Sequence, residues 1–257
     1  MVAGIRGKTG RAFTLIELMV VVTIIAILIS MMAPVVHSVK SAVKQSGAAR
    51  GLSQLSMSTT LYLADNDDTF PLAMYTTEYG HWQTWFGMQV GQTDWDANQG
   101  ILGPYRGNTT LKDSTLIAEP YIGDMSGFGY NYGYIGSDFH IRRDYGAWPN
   151  CRNAAHSSEL ASPSTTLIYT TTSFYNAPWL PDGDGATYDF GFVDPPEFWY
   201  GDPNMDFRHF GRRKVVEGKD EVTSEGRAIV VFADGNIRTV TQDQVKPDWF
   251  LRSGSAD

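Results

Sequence analysis

The chain has 257 residues, 42% of them hydrophobic and 13% aromatic, with a formal charge of −8 and one cysteine. Such an acidic balance disfavours nucleic acid as a partner, because binding to phosphates rests on lysine and arginine. The lone Cys151 excludes an internal disulfide, so stability must come from packing, for which the apolar content suffices to build one sizeable core.

Residues 1–12 carry Arg6, Lys8 and Arg11 and no acid, a basic stretch that the positive-inside tendency places in the cytoplasm. Residues 13–36 form the most apolar run, and from Leu18 to Val36 no position is charged. Helical residues rise ~1.5 Å each, so a run of this length approaches the ~30 Å hydrocarbon core of a bilayer. A secretory signal peptide has an apolar region of only ~7–15 residues followed by a small-residue cleavage site. This run is longer and leads into more helix, so it reads as a retained membrane span with the remainder of the chain outside. Glu17 is the one acid near its start. Pro34 lies inside it and is expected to kink or loosen the helix by removing a backbone hydrogen bond.

Residues 37–64 continue the helix with an amphipathic face. Val36, Val39, Val43, Ala48, Leu52, Leu55, Thr59 and Tyr62 recur at steps of three to five, with Lys40, Lys44, Gln45 and Arg50 between them. The cluster Asp65-Asn66-Asp67-Asp68, ahead of Pro71, predicts its end. Residues 65–257 then form one extracytoplasmic domain. Beyond residue 70, glycine, tyrosine, tryptophan, aspartate and proline predict mostly loops. Strand-like runs stand at 127–135, 166–173, 227–233 and 236–241. Asp234-Gly235 between the last two predicts a two-residue hairpin turn with positive φ at both positions. The polar stretch 212–226 reads as an exposed loop. The predicted class is α+β: a long N-terminal helix packed on a C-terminal antiparallel sheet with long loops.

Nothing in the sequence points to catalysis. His37, His81, His140, His156 and His209 are scattered, with no HExxH or GxSxG pattern, and Cys151 reads as an inert thiol. "WQTWFGMQVGQTDW" (82–95) and "PPEFWYGDP" (195–203) supply aromatics for the core or for a carbohydrate, with core packing favoured. Asp65, Asp67 and Asp68, and separately Asp182, Asp184 and Asp189, offer oxygen ligands to calcium. Their ordinary reading is as solvated turn acids and helix caps.

"FTLIELMVVVTIIAILISMMAP" (13–34) resembles the N-terminal segment of type IV pilins and type II secretion pseudopilins: the first phenylalanine, the acid four residues on, the apolar stretch and the downstream proline. "YLADNDDTFP" (62–71), "GILGPY" (100–105), "GYNYGY" (129–134), "FRHFG" (207–211) and "IVVFADGNIRTV" (229–240) resemble, more weakly, the bacterial subgroup with a C-terminal H-X9-DG region. Ala12 stands where that family has glycine, 24 residues separate His209 from Asp234, and Asn236 stands where a second histidine is common.

The resemblance implies a pilin-like fold and an order of events. A prepilin peptidase would cut between Ala12 and Phe13 and methylate the Phe13 amine. An inner-membrane assembly platform would then draw subunits from the inner membrane into a filament with copies of itself and other pilins or pseudopilins. Glu17 and Pro34 would serve assembly. No cofactor is implied beyond structural calcium, which some secretion pseudopilins carry. Two functions stay open: a filament subunit, or a membrane-tethered binding protein for a glycan or protein that uses a pilin-type export signal.

Overall fold

The computed structural model describes residues 14–90, 94–107, 111–116, 118–121, 123, 126–143, 151–175, 187–195, 204–210, 214–216, 219–221 and 226–253. It gives the backbone alone at 33–38, 40, 41, 119, 175, 214–216 and 219–221. The chain divides into two compact units, Met1–Val43 and Lys44–Asp257. Helix α1 (Leu15–Asp65) is 51 residues long and continues through position 34, so the proline does not end it.

In the first unit the apolar stretch Leu15–Met32 is wholly exposed. Val39 and Val43, predicted on the buried stripe, are exposed as well. In the second unit the stripe is real: Ala48, Leu52, Leu55 and Thr59 are buried. Full burial of each leucine contributes on the order of 1.5–3 kcal/mol. At Gly51 the helix approaches β6 (Phe128–Asn131) so closely that a Cβ would stand 2.9 Å from Phe128 Cε2. The acidic cluster ends the helix as predicted. Asp67 and Asp68 take left-handed backbone angles (φ 49° and 54°), which short polar side chains tolerate, and the Asp68 amide donates to the Leu63 carbonyl at 3.0 Å.

Beyond the helix there is more strand than the sequence pattern predicts. Strands β1 (Met74–Thr76), β2 (Trp82–Thr84), β3 (Met88–Gln89) and β4 (Trp95–Asp96) form a small antiparallel meander. A short helix α2 (Gly103–Arg106), β5 (Glu119–Pro120) and β6 follow, then helix α3 (Phe139–Arg142). Next come β7 (Leu167–Thr171), β8 (Phe174–Tyr175), β9 (Thr187–Asp189) and β10 (Phe192–Val193). The predicted loop at 212–226 contains an antiparallel ribbon of β11 (Lys214–Val216) and β12 (Lys219–Glu221). The chain closes with β13 (Ala228–Phe232) and β14 (Ile237–Val240).

The main sheet runs β10-β6-β7-β13-β14. It is antiparallel except at its β10–β6 edge, which is parallel, and a second parallel pair joins β5 to β9. The α+β class holds, with a mixed sheet in place of a purely antiparallel one. Strand β13 is buried on both faces: Ile229 and Val231 join Leu52, Leu55 and Tyr169 in one core, while Ala228, Val230 and Phe232 join Val193, Phe207 and Phe250 in another. That two-sided burial explains its unbroken apolar run. A 2.7 Å hydrogen bond between Thr59 Oγ1 and Tyr169 OH ties α1 to the sheet.

The β13–β14 turn differs from the predicted two-residue form. The Gly235 amide donates to the Phe232 carbonyl and the Phe232 amide to the Asn236 carbonyl, both at 2.9 Å. The loop is therefore three residues, Ala233 to Gly235, and of these Gly235 alone has positive φ, +81°. This is the geometry of a tight turn closed by a glycine bulge, in which one left-handed residue suffices.

Candidate functional site

The first candidate site is the start of α1. Glu17 Oε2 accepts from the Thr14 amide at 2.9 Å and from Thr14 Oγ1 at 2.8 Å, while Thr14 Oγ1 stands 3.3 Å from the Glu17 amide. These are the reciprocal bonds of a capping box, and they satisfy amides that the first helical turn leaves open. The helix dipole also favours an anion there. The capping role was missed in the sequence reading, although Thr14 and Glu17 have the threonine-to-glutamate spacing that signals it. Deeper in the stretch, Thr23 Oγ1 donates to the Met19 carbonyl at 2.8 Å and Ser30 Oγ to the Ile27 carbonyl at 2.7 Å. The hydroxyls are satisfied within the helix, so the segment presents an apolar surface that lipid or another helix can cover. Ala12 and Phe13 lie outside the described residues, as does the side chain of Pro34.

A second concentration of chemistry lies inside the body, where loop residues 95 positions apart meet. Arg208 Nε and Nη2 donate to Asp113 Oδ2 at 2.9 and 2.7 Å, and Nη1 donates to Asp206 Oδ2 at 2.6 Å. The carbonyls of Gly127 and Thr172 accept from the same guanidinium at 2.7 and 3.2 Å. His209 Nε2 is 3.1 Å from Asp113 Oδ2, close enough for attraction but off line for a well-formed hydrogen bond. All these side chains are buried. Burial raises the Asp113 carboxyl, yet the His209 contact and the Arg208 charge outweigh it and hold that carboxyl well below the usual range. The guanidinium is surrounded by oxygen acceptors and closed off from solvent, so the cluster braces the fold and offers no seat to an anion. His209 also pairs its backbone with Arg227, just before β13, while Asp234 and Gly235 turn the chain at the strand's far end.

The remaining candidates are dispersed. Asp189 is buried and both its carboxylate oxygens lie 3.0 Å from the Gly127 amide, whereas Asp182 and Asp184 lie outside the described residues. Among the described residues no three Asp, Glu, His or Cys side chains gather as a metal-holding group. Burial pushes the Cys151 thiol up to about 11, which keeps it protonated at neutral pH and a poor nucleophile. His140 Nε2 meets Asp194 Oδ1 at 3.3 Å, and His156 caps a short 3-10 turn through Ser158. Trp85 and Phe86 are core residues, with Trp82 and Trp95 packed against them. Most of the second aromatic stretch, residues 196–203, lies outside the described residues.

Residues 8–33 match the family model of the prokaryotic N-terminal methylation motif. The match takes in Ala12, Phe13 and Glu17 and overlaps Leu15–Met32, the one helical stretch among the described residues long and apolar enough to cross a membrane. The chain thus carries a prepilin-type signal, of the kind that prepilin peptidases process for pilin-type assembly, on a helix suited to single-pass anchoring. No curated protein and no solved structure matches the chain.

Proposed function

We propose that this protein is a structural subunit, pilin or pseudopilin, of a type IV pilus or type II secretion-like filament, and that it catalyses no reaction. The observation that carries the reading is the coincidence of the methylation motif at 8–33 with a wholly exposed apolar helix whose only acid is held at the first turn. In this reading residues 1–12 are a cytoplasmic leader, removed between Ala12 and Phe13, and the new Phe13 amine is methylated. Thr14 and Glu17 both follow the cut, so the capping box survives processing. The subunit waits in the inner membrane with its body outside until an assembly platform draws it into the filament, beside copies of itself and other pilins.

Glu17 then has two successive roles. In the single subunit its carboxylate caps the helix. In the filament the cationic amine of Phe13 on a neighbouring subunit replaces the lost water, and only one axial stagger brings the two together. Intact-mass analysis of protein extracted from membranes tests the processing half: the expected chain begins at a methylated Phe13, and a chain still beginning at Met1 beside an active prepilin peptidase sinks it. Immunogold electron microscopy tests the assembly half, with labelled filaments expected and only detergent-soluble single copies counting against it.

A further inference from the structure

A cleft of about 600 Å³ opens on the body between the last turns of α1, the β1–β3 meander and α2, a volume in the range of small-ligand sites. Tyr62, Tyr75 and Met88 give it apolar surface, and Gln83, Asn98 and Gln99 give it amides; none of its described lining side chains is charged. Its parts are fixed in advance. Tyr75 and Gln83 face one another across β1 and β2, and the Tyr75 hydroxyl donates to Gln83 Oε1. Gln83 Nε2 donates to the Gln99 carbonyl at 2.8 Å, and Gln99 Nε2 to Asp96 Oδ2 at 2.8 Å. The Tyr62 ring is held edge-on to Tyr105 with centroids 5.4 Å apart. Asn98 stands exposed at the rim, and among the described residues its side-chain amide makes no hydrogen bond.

These surfaces narrow the occupant. A charged ligand finds no counter-charge in the lining, and the chain's net charge of −8 repels anions generally. A wholly apolar ligand would strip water from the Asn98 side-chain amide without replacing its hydrogen bonds. A neutral sugar ring meets both demands, because its C–H face lies on a tyrosine ring or a methionine while its hydroxyls exchange hydrogen bonds with amides. We propose that this cleft binds a neutral oligosaccharide, with Tyr75 as the ring platform and Asn98 as the amide that orients the sugar. The proposal goes beyond the filament reading and does not depend on it: it assigns the body a ligand whether or not the chain assembles.

The test uses the full chain in a detergent without a sugar headgroup, titrated calorimetrically with maltotriose, cellotriose and tri-N-acetylchitotriose, and with trigalacturonate as the charged comparison. At least one neutral trisaccharide should bind with Kd at or below roughly 1 mM, more tightly than trigalacturonate, since weak sites of this kind supply about 4 kcal/mol. Tyr75→Ala should weaken that binding by roughly tenfold or more, and Tyr75→Phe, which keeps the ring and loses the bond to Gln83, by less. Asn98→Ala changes only an exposed rim residue, so it should lower affinity without moving the melting temperature, and it decides the matter if Tyr75→Ala does not fold. The proposal is overturned if no neutral trisaccharide binds at ~10 mM, well above the affinity expected. Tighter binding of the charged sugar, or undiminished affinity in Asn98→Ala and any folded Tyr75→Ala protein, overturns it equally.

Discussion

In the stretch Leu15–Met32 the large apolar side chains are exposed by 45% (Val21) to 74% (Leu15), whereas Leu52, Trp85, Tyr130 and Tyr169 in the body are exposed by 0%. Both sets are large hydrophobic side chains in sequence. The body finds its cover within its own chain, through α1, the sheet and the aromatic cluster of Trp85 with Phe86, Tyr130 and Tyr169. The N-terminal stretch has no such cover among the described residues, so on the proposed reading its burial comes from lipid first and from other subunits in the filament. Changes in the two regions should therefore be read by different measurements: assembly for the first, melting for the second.

The strongest test of that separation is Glu17→Val. It removes the one carboxylate of the apolar stretch, and filament counts from sheared cells should fall by roughly tenfold or more, the effect of losing about 1.4 kcal/mol per subunit contact. Cleavage, read by immunoblot, and the melting of the body should not change. Abundant normal filaments would remove Glu17 from assembly. The mirror experiment is Arg208→Met, which leaves Asp113 and Asp206 buried without their cation. It should destabilise the body by ~3–5 kcal/mol, read as an earlier melting transition, while the mature N-terminus stays the same.

Acid should act on the same cluster. The folded Asp113 carboxyl is held low, so below about pH 4 the unfolded chain takes up a proton that the folded chain refuses. Stability from this group is complete above that pH and drains as the pH falls further, by on the order of 2–3 kcal/mol. A melting series from pH 6 to pH 2 should show that slope, and Asp113→Asn, itself less stable at neutral pH, should flatten it. Gly235→Val puts a β-branched residue at φ +81°. It should cost ~1–3 kcal/mol, seen as earlier melting, and an unchanged melting temperature would mean that the turn relaxes freely. Thr14→Ala has the smallest expected effect. Loss of the cap is worth ~1 kcal/mol, enough to speed hydrogen exchange at amides 15–18 about fivefold without altering the body.

Sequence patterns revealed the parts held by local rules. The stripe from Ala48 through Thr59 and the stop at Asp65 were legible because a helix repeats its face and short acids tolerate left-handed backbone. The β13–β14 hairpin was legible in outline from Asp234-Gly235, but its loop length was not, since bond pairing at Phe232 and Asn236 decides it. Strands β1 to β4 escaped notice because two or three residues cannot display an alternating period. Val39 and Val43 carried the apolar period into a unit that does not bury them. At the N-terminus Glu17 stood out as the acid in an apolar run, while its partner Thr14 needed a helix-start rule. The braced cluster was invisible, because Asp113 and Arg208 lie 95 residues apart and nothing local marks either as buried. Neither could the cleft be seen in sequence, since Tyr75 and Gln83 meet only through the register of β1 on β2.

The place of β13 in the sheet sets a condition on synthesis. Strand β7 lies between β6 and β13, yet β13 is made only after residue 227. Until then strand Leu167–Thr171 has one edge without its native neighbour. A chain stopped short of β13 would keep a sticky strand edge that another copy can pair with, so truncated products should aggregate. The body gains its cooperative core only once β13 has been made.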